Sequence, residues 1–165
     1  MRRTAIDSND PIVIRKAWPA DSRGIYEACI ASIRAGGGTH YSPEQVEAWV
    51  QRISESSFEK KIPHLDFLVA ESADSKIVGF AALNPTNREL EYIYVHPDKL
   101  KTGLGRRLIE AIEARANIRR VRRLHLVGSL NAVGFYELMG YRTDRTFVRD
   151  LNGVQIPCTM MSKEL

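Results

Sequence analysis

Hydrophobic positions along the chain fall into strand-like and helix-like runs joined by short polar connections. Ile12 to Ala17 reads as a first strand. Residues Pro19 to Ala35 carry Ile25, Ala28, Cys29, Ser32 and Ile33 at helical spacing, and Gly36-Gly37-Gly38 ends that helix and opens a loop. Ser42-Pro43-Glu44-Gln45 is a capping-box pattern with proline at the first helical position, and Val46, Trp49, Val50 and Ile53 follow at i, i+3, i+4 and i+7. Leu65 to Glu71, Lys76 to Leu83 and Glu89 to Val95 then read as consecutive antiparallel strands. His96-Pro97-Asp98 breaks the third, and Gly103 to Asn117 is an amphipathic helix with Leu104, Leu108, Ala111 and Ile112 on one face. Arg122 to Val127 predicts a strand, and Asn131 to Met139 a short helix stopped at Gly140. Tyr141 to Arg149 and Val154 to Met161 close the chain as a hairpin through Asn152-Gly153. The order β-αα-βββ-α-β-α-ββ is that of a mixed α/β fold: a central, mostly antiparallel sheet of about seven strands flanked by four helices.

Length and composition narrow the class. A chain of 165 residues with 44% hydrophobic and 27% charged side chains is expected to form one globular domain over residues 1–165. Its apolar stretches, such as Ile77 to Leu83, fall far short of the ~20 residues of a membrane-spanning helix. The N-terminal segment is basic but carries only the apolar run Pro11 to Ile14 before Arg15, shorter than the roughly 7–15 residues of a secretory signal. A cytoplasmic location is expected. Cys29 and Cys158 lie far apart with no metal-type spacing, the usage of free thiols in a reducing compartment. His40, His64, His96 and His125 form no H-x-H or H-E-x-x-H pair, so no metal site is expected.

The net charge of +4 is too small to make polyanion binding the default, but its distribution is uneven. Lys99, Lys101, Arg106, Arg107, Arg115, Arg119, Arg120, Arg122 and Arg123 crowd one segment against only Glu110 and Glu113. A nucleic-acid surface would interleave aromatic residues for base stacking, and this segment has none. Within it, Gly103-Leu104-Gly105 separates a strand from a helix, the geometry of a phosphate cradle. Glycine lets main-chain N–H groups approach an anion, and the helix start adds unsatisfied donors. Lys99, Lys101 and Arg106 would add charge-assisted donors.

Glu91-Tyr92-Ile93-Tyr94-Val95-His96-Pro97-Asp98, followed by Lys101-Thr102-Gly103-Leu104-Gly105-Arg106-Arg107-Leu108, resembles the acetyl-coenzyme A signature of the GNAT superfamily of N-acetyltransferases. Ser129-Leu130-Asn131-Ala132 with Phe135 to Tyr141 is similar to the second signature block of that family, in the same order and spacing. Tyr41-Ser42-Pro43-Glu44-Gln45 with Trp49 is similar to a subgroup of small bacterial members. The chain departs from the family at Leu100, where Gln or Arg is usual; Lys101 or Thr102 offers a side-chain donor nearby. The resemblance implies acetyl-coenzyme A as cosubstrate, contacted by Ile93, Tyr94, Val95, Leu100, Lys101, Thr102, Gly103, Leu104, Gly105, Arg106 and Asn131.

It also implies a mechanism. Attack on a thioester needs a neutral amine, yet a lysine of pKa ~10.4 is protonated in all but roughly one molecule in 2,500 at pH 7. Glu89 and Glu91 share a strand face, and in several family members a glutamate on this strand is the base; either fits that role here. By motif position the Val95 amide corresponds to the oxyanion donor and Tyr136 to the acid that protonates the departing thiolate. His40 and Tyr41 fall in the loop that helps line the acceptor pocket in the family, and Asn131 doubles as a potential helix cap. The expected activity is acetyl transfer to a primary amine of a small molecule, peptide or protein by direct attack on the thioester; a non-catalytic acyl-coenzyme A-binding or sensor module is the alternative. The first and last strands offer edges for a homodimer, for which the sequence carries no further signal.

Overall fold

The computed structural model describes residues 11–165, so the segment before Pro11 that was read for a targeting signal lies outside the described residues. In chain order the elements are β1 (Val13–Lys16), α1 (Ser22–Gly36), α2 (Pro43–Gln51), α3 (Glu55–Lys61), β2 (Asp66–Glu71), β3 (Ile77–Asn84), β4 (Glu89–Val95), α4 (Leu104–Ile118), β5 (Arg123–Ser129), α5 (Val133–Leu138), β6 (Arg142–Leu151) and β7 (Val154–Glu164). Among the described residues the strands form one seven-stranded sheet in the order β1-β2-β3-β4-β5-β7-β6, antiparallel except between β4 and β5.

Both faces of the sheet centre are covered, which is why Phe67-Leu68-Val69-Ala70 in β2 is apolar without alternation. Leu68, Ala70, Ala81, Leu83, Leu124 and Leu126 pack under Leu104, Leu108 and Ile112 of α4. Phe67, Val69, Phe80 and Ala82 on the opposite face pack under Ile25, Ala28 and Cys29 of α1 and Phe58 of α3. Cys29 and Cys158 are buried free thiols.

Among the described residues five α-helices stand where four are expected. The additional one, α3, buries only Phe58 among its seven residues, too few for a 3.6-residue hydrophobic period to show. Its signal was in the ends: the Ser54 hydroxyl accepts from the Ser57 N–H, Glu55 occupies the first turn, and Lys60 and Lys61 the last. Phe58 then meets Phe67, Phe80 and Tyr92 edge-on, with ring centroids 6.2, 5.6 and 5.4 Å apart. Two other expectations change. Asn131 caps no helix; it sits within a tight turn, Leu130–Ala132, that shortens α5. The last strand is no edge, because β7 pairs with β5 on one side and β6 on the other, leaving β1 and β6 at the rims. The β6–β7 turn has φ of 54° at Asn152 and 87° at Gly153, the doubly left-handed turn that Asn-Gly favours.

The decisive feature lies in the middle. In β3–β4 pairing Ala82 faces Tyr92 but Leu83 faces Leu90, so β4 carries one extra residue, Glu91. This bulge interrupts the alternation: Leu90, Ile93 and Val95 turn toward α4, while Tyr92 and Tyr94 turn toward α1. Bulges also bend their strand, and β4 meets β5 only at Glu89 opposite His125, where the His125 N–H donates to the Arg88 carbonyl at 3.0 Å. Beyond that point the two strands separate and leave a wedge in the sheet.

Candidate active site

The wedge exposes main chain. The His96 N–H donates to the Val78 carbonyl at 2.9 Å, so β4 turns every second amide toward β3. The intervening amides of Ile93 and Val95 point the other way, toward the missing β5 neighbour. An unpaired strand edge inside a sheet is a set of donors and acceptors held in place for another extended chain.

At one end of the wedge the chain enters α4 through the glycine turn. Lys101 has φ of 59° and Gly103 φ of 84°, a left-handed pair that brings successive amides around to one side. The first bond of the helix runs from the Arg107 N–H to the Gly103 carbonyl at 3.1 Å, so the amides of Leu104, Gly105 and Arg106 have no helical acceptor. Thr102 and Gly103 amides likewise make no bond of ordinary geometry within the described residues. The Thr102 hydroxyl donates to the Lys99 carbonyl at 2.6 Å and braces the turn, and Leu100 is 54% exposed on its rim. A Cβ on Gly105 would lie 3.1 Å from the Phe135 ring, so α4 and α5 approach closely only because position 105 is bare.

Much of the basic segment is spent elsewhere. Arg115 and Arg119 both pair with Asp66, at 3.7 and 3.1 Å, and Arg123 pairs with Asp144 and Glu164, each at 3.5 Å. Arg107 donates to the Ile12 carbonyl at 2.8 Å. Lys99, Lys101 and Arg106 remain around the glycine turn, with no acidic partner among the described residues. Positive charge is therefore concentrated where the free amides are.

Two adjoining cavities occupy the wedge. A narrow one of about 120 Å³ is lined by Glu91, Ile93, Tyr94, Ser129, Asn131 and Tyr136, with Ser32 and Gly37 from the α1 side. It adjoins a larger one of about 550 Å³ on the α1–α3 face, and the two share Trp49, Glu91, Tyr92, Tyr94, Val127 and Ser129. Glu89, Asn84, Lys61, Arg52 and Arg149 line only the larger.

Tyr136 lies under the narrow cavity. Its ring rests against bare Gly128, where a Cβ would be 3.2 Å from the ring, and its hydroxyl has no hydrogen-bond partner among the described residues. Burial raises the phenol above its ordinary pKa, so it carries its proton at neutral pH. Asn131 projects beside the end of α1, its amide nitrogen 2.9 Å from where a Cβ on Gly36 would stand.

The two glutamates share the cavity face, but their surroundings differ. Glu91 accepts from Lys61 Nζ at 2.7 Å and from Asn84 Nδ2 at 3.2 Å. Lys61 also donates to the Tyr92 hydroxyl at 2.5 Å. The Glu89 carboxylate makes no hydrogen bond among the described residues. Burial pushes its carboxyl above the usual range; His125, Arg149 and Lys61 pull it back, and Glu91 adds to the rise. A carboxylate short of partners and less acidic than usual is the better proton acceptor of the two.

His40 and Tyr41 line neither cavity. His40 is exposed, its Nδ1 2.9 Å from the Thr39 hydroxyl. Tyr41 is buried: its hydroxyl donates to the Pro157 carbonyl at 2.7 Å and accepts from the Leu130 N–H at 2.9 Å, while its ring meets Trp49 edge-on at 5.7 Å. Sequence reasoning passed over Lys61, Asn84, Arg52 and Arg149. Lys61 belongs to the helix whose pattern is too short to read, and Arg149 belongs to the far hairpin. Among the described residues no three His, Cys, Asp or Glu side chains converge as a metal site requires. No helix among them is long and apolar enough to cross a membrane.

A sheet split between a bulged β4 and β5, with a glycine turn at one end and a tyrosine beneath the gap, defines an acyltransferase class, and comparison with known proteins identifies it. The sequence profile of the acetyltransferase (GNAT) domain matches residues 38–165, and the chain belongs to that family. It is 26% identical over 132 residues, 80% of this chain and 82% of the relative, to the uncharacterized N-acetyltransferase YafP of Escherichia coli K12. A GCN5-related N-acetyltransferase from Rhodopseudomonas palustris superposes with a TM-score of 0.86 at 31% identity, over 93% of this chain and 95% of that one. The PaiA N-acetyltransferase of Thermoplasma acidophilum, solved in complex with coenzyme A, shares the fold with a TM-score of 0.73 at 24% identity, over 94% and 99% of the two chains. The protein is an N-acetyltransferase of the GNAT family.

Proposed function

We propose that the chain binds acetyl-coenzyme A across the split in its sheet and transfers the acetyl group directly to a primary amine in the larger cavity. The amides of Thr102 to Arg106 receive the pyrophosphate, with Lys99, Lys101 and Arg106 as flanking charge. The pantetheine arm, an extended amide chain, runs along the free β4 edge at Ile93, Tyr94 and Val95 and past Asn131. One observation carries the reading: the wedge joins a cavity that ends on a proton-bearing tyrosine to a cavity that holds a partnerless, less acidic glutamate. Acetyl transfer needs a base on one side of the thioester and an acid on the other.

Glu89 takes the amine proton, directly or through water, and the neutral nitrogen attacks the thioester carbonyl. The Val95 amide, aimed into the wedge, stabilises the oxyanion. The C–S bond then breaks, Tyr136 passes its proton to the thiolate, and the second proton shed by the acylated nitrogen restores the phenol. Glu91 stays bonded to Lys61 and Asn84 and shapes the pocket.

Gly103→Val tests coenzyme binding. At φ of 84° a β-branched residue is strained, and its side chain would stand where the phosphates approach. Affinity for acetyl-coenzyme A, measured by calorimetry, should fall tenfold or more with the far-ultraviolet spectrum unchanged. Undiminished affinity in a folded variant refutes the assignment of the loop.

A further inference from the structure

The larger cavity is charged in a way that selects its acceptor. Its wall carries Arg52, Lys61 and Arg149 against Glu89 and Glu91. Lys61 and Glu91 cancel one another at 2.7 Å. Arg52 and Arg149 have no acidic partner within ion-pair distance among the described residues. They reach the cavity from separate elements, Arg52 from the C-terminal cap of α2 and Arg149 from β6 opposite Ile156. Arg149, Glu89 and Cys158 line the same cavity, and the charge of Arg149 lowers the pKa of both other groups.

An amine arrives protonated, and here one unpaired carboxylate would attract it while two unpaired guanidinium groups repel it. A polycationic acceptor makes that balance worse. An acceptor that brings its own carboxylate reverses it, because a guanidinium holds a carboxylate through two parallel N–H···O bonds. Trp49, Ile53, Phe58 and Ile156 line the same space, which suits an apolar body between the charged ends. We infer that the acceptor is a small amino acid-like amine with a carboxylate and an apolar side chain, the carboxylate held by Arg149 and Arg52 and the amine presented to Glu89. This specificity rests on the acetyl-transfer reading. The transfer converts the amine and acetyl-coenzyme A into an N-acetyl amino acid, free coenzyme A and one proton released from the ammonium.

Leucine, phenylalanine and methionine, each paired with its carboxamide, and spermidine test the inference. The carboxamide has the less basic amine, so reactivity alone favours it; a preference for the acid form must come from the pocket. Thiol release with acetyl-coenzyme A should give at least one amino acid a kcat/KM tenfold or more above its amide, with spermidine lowest. Arg149→Gln should lower that value tenfold or more for the acid and far less for the amide, which shares only the effect on Glu89, while Arg145→Gln, on the same strand but outside the cavity, changes neither. Calorimetry on protein loaded with free coenzyme A reads acceptor binding without turnover, and the amino acid should bind there only when Arg149 is intact. Amide or spermidine preferred, equal losses for both partners of a pair, or no amino acid bound to the loaded protein overturns the inference. Binding lost in Arg149→Gln with no thiol release from any acceptor upholds the pocket and overturns the acetyl-transfer reading instead.

Discussion

Tyr41→Phe deletes one oxygen atom that ties three parts of the chain together. The hydroxyl donates to Pro157 in β7 and accepts from Leu130, the residue that opens the turn holding Asn131. Tyr41 is 6% exposed, so water does not readily replace the oxygen. Each intramolecular hydrogen bond contributes about 1 kcal/mol net, and the orphaned carbonyl and amide add a further desolvation penalty where water is excluded. The loss should be at least about 2 kcal/mol. For a chain of this size that corresponds to a fall in Tm of roughly 4–8 °C. Urea denaturation should show an earlier midpoint with an unchanged slope, since the surface exposed on unfolding stays the same. Affinity for the coenzyme should also weaken, because the Leu130–Ala132 turn loses its tether, whereas the acceptor KM should change little. A variant with Tm within 1 °C of the parent and a raised acceptor KM refutes the reasoning: the hydroxyl would then be touching substrate, as the position of Tyr41 in the sequence first suggests.

Tyr136→Phe keeps the ring against Gly128 and removes only the acid, so turnover should fall by roughly 10²–10⁴ with coenzyme affinity unchanged; full activity would make water the proton donor. Glu89→Gln should lose most rate with the more basic of two acceptors, and Glu91→Gln considerably less; equal small losses would mean that neither carboxylate is the base. Glu89 also has a stability signature. Its folded pKa is raised, so the folded state binds the extra proton, and stability falls as pH rises from the ordinary carboxylate range through the raised value. Urea midpoints of Glu89→Gln should lack that fall and lie above those of the parent at neutral pH; parallel pH profiles count against a half-buried Glu89 with a raised pKa. Gly128→Ala would press a methyl group to 3.2 Å from the Tyr136 ring and should cut kcat severalfold with coenzyme affinity retained, which single-turnover kinetics and calorimetry separate.

Much of this arrangement is local and was legible in the chain. The Ser42-Pro43-Glu44-Gln45 box caps α2 because a serine side chain and a glutamine three residues on suffice to satisfy the helix start. Asn152-Gly153 makes its hairpin, and Gly103 opens α4 at positive φ, because those residues tolerate a conformation that others resist. Such features depend on residues within one turn of each other, and so do the signature blocks around Gly103 and Tyr136. The α3 helix escaped because a single buried Phe58 makes no period. What only the tertiary structure decided depends on residues far apart in sequence. The bulge at Glu91 is a matter of register against β3, and two glutamates that look alike in sequence become unlike because Lys61 and Asn84 reach only one of them. Tyr41 is a post between β7 and the Leu130 turn, 116 and 89 residues distant. The cavity charge follows from which arginines find partners: Arg115 and Arg119 meet Asp66, while Arg52 and Arg149, far apart in sequence, line one pocket. Coulomb energy and desolvation depend on distance and burial in space, and neither quantity is written in the order of residues along the chain.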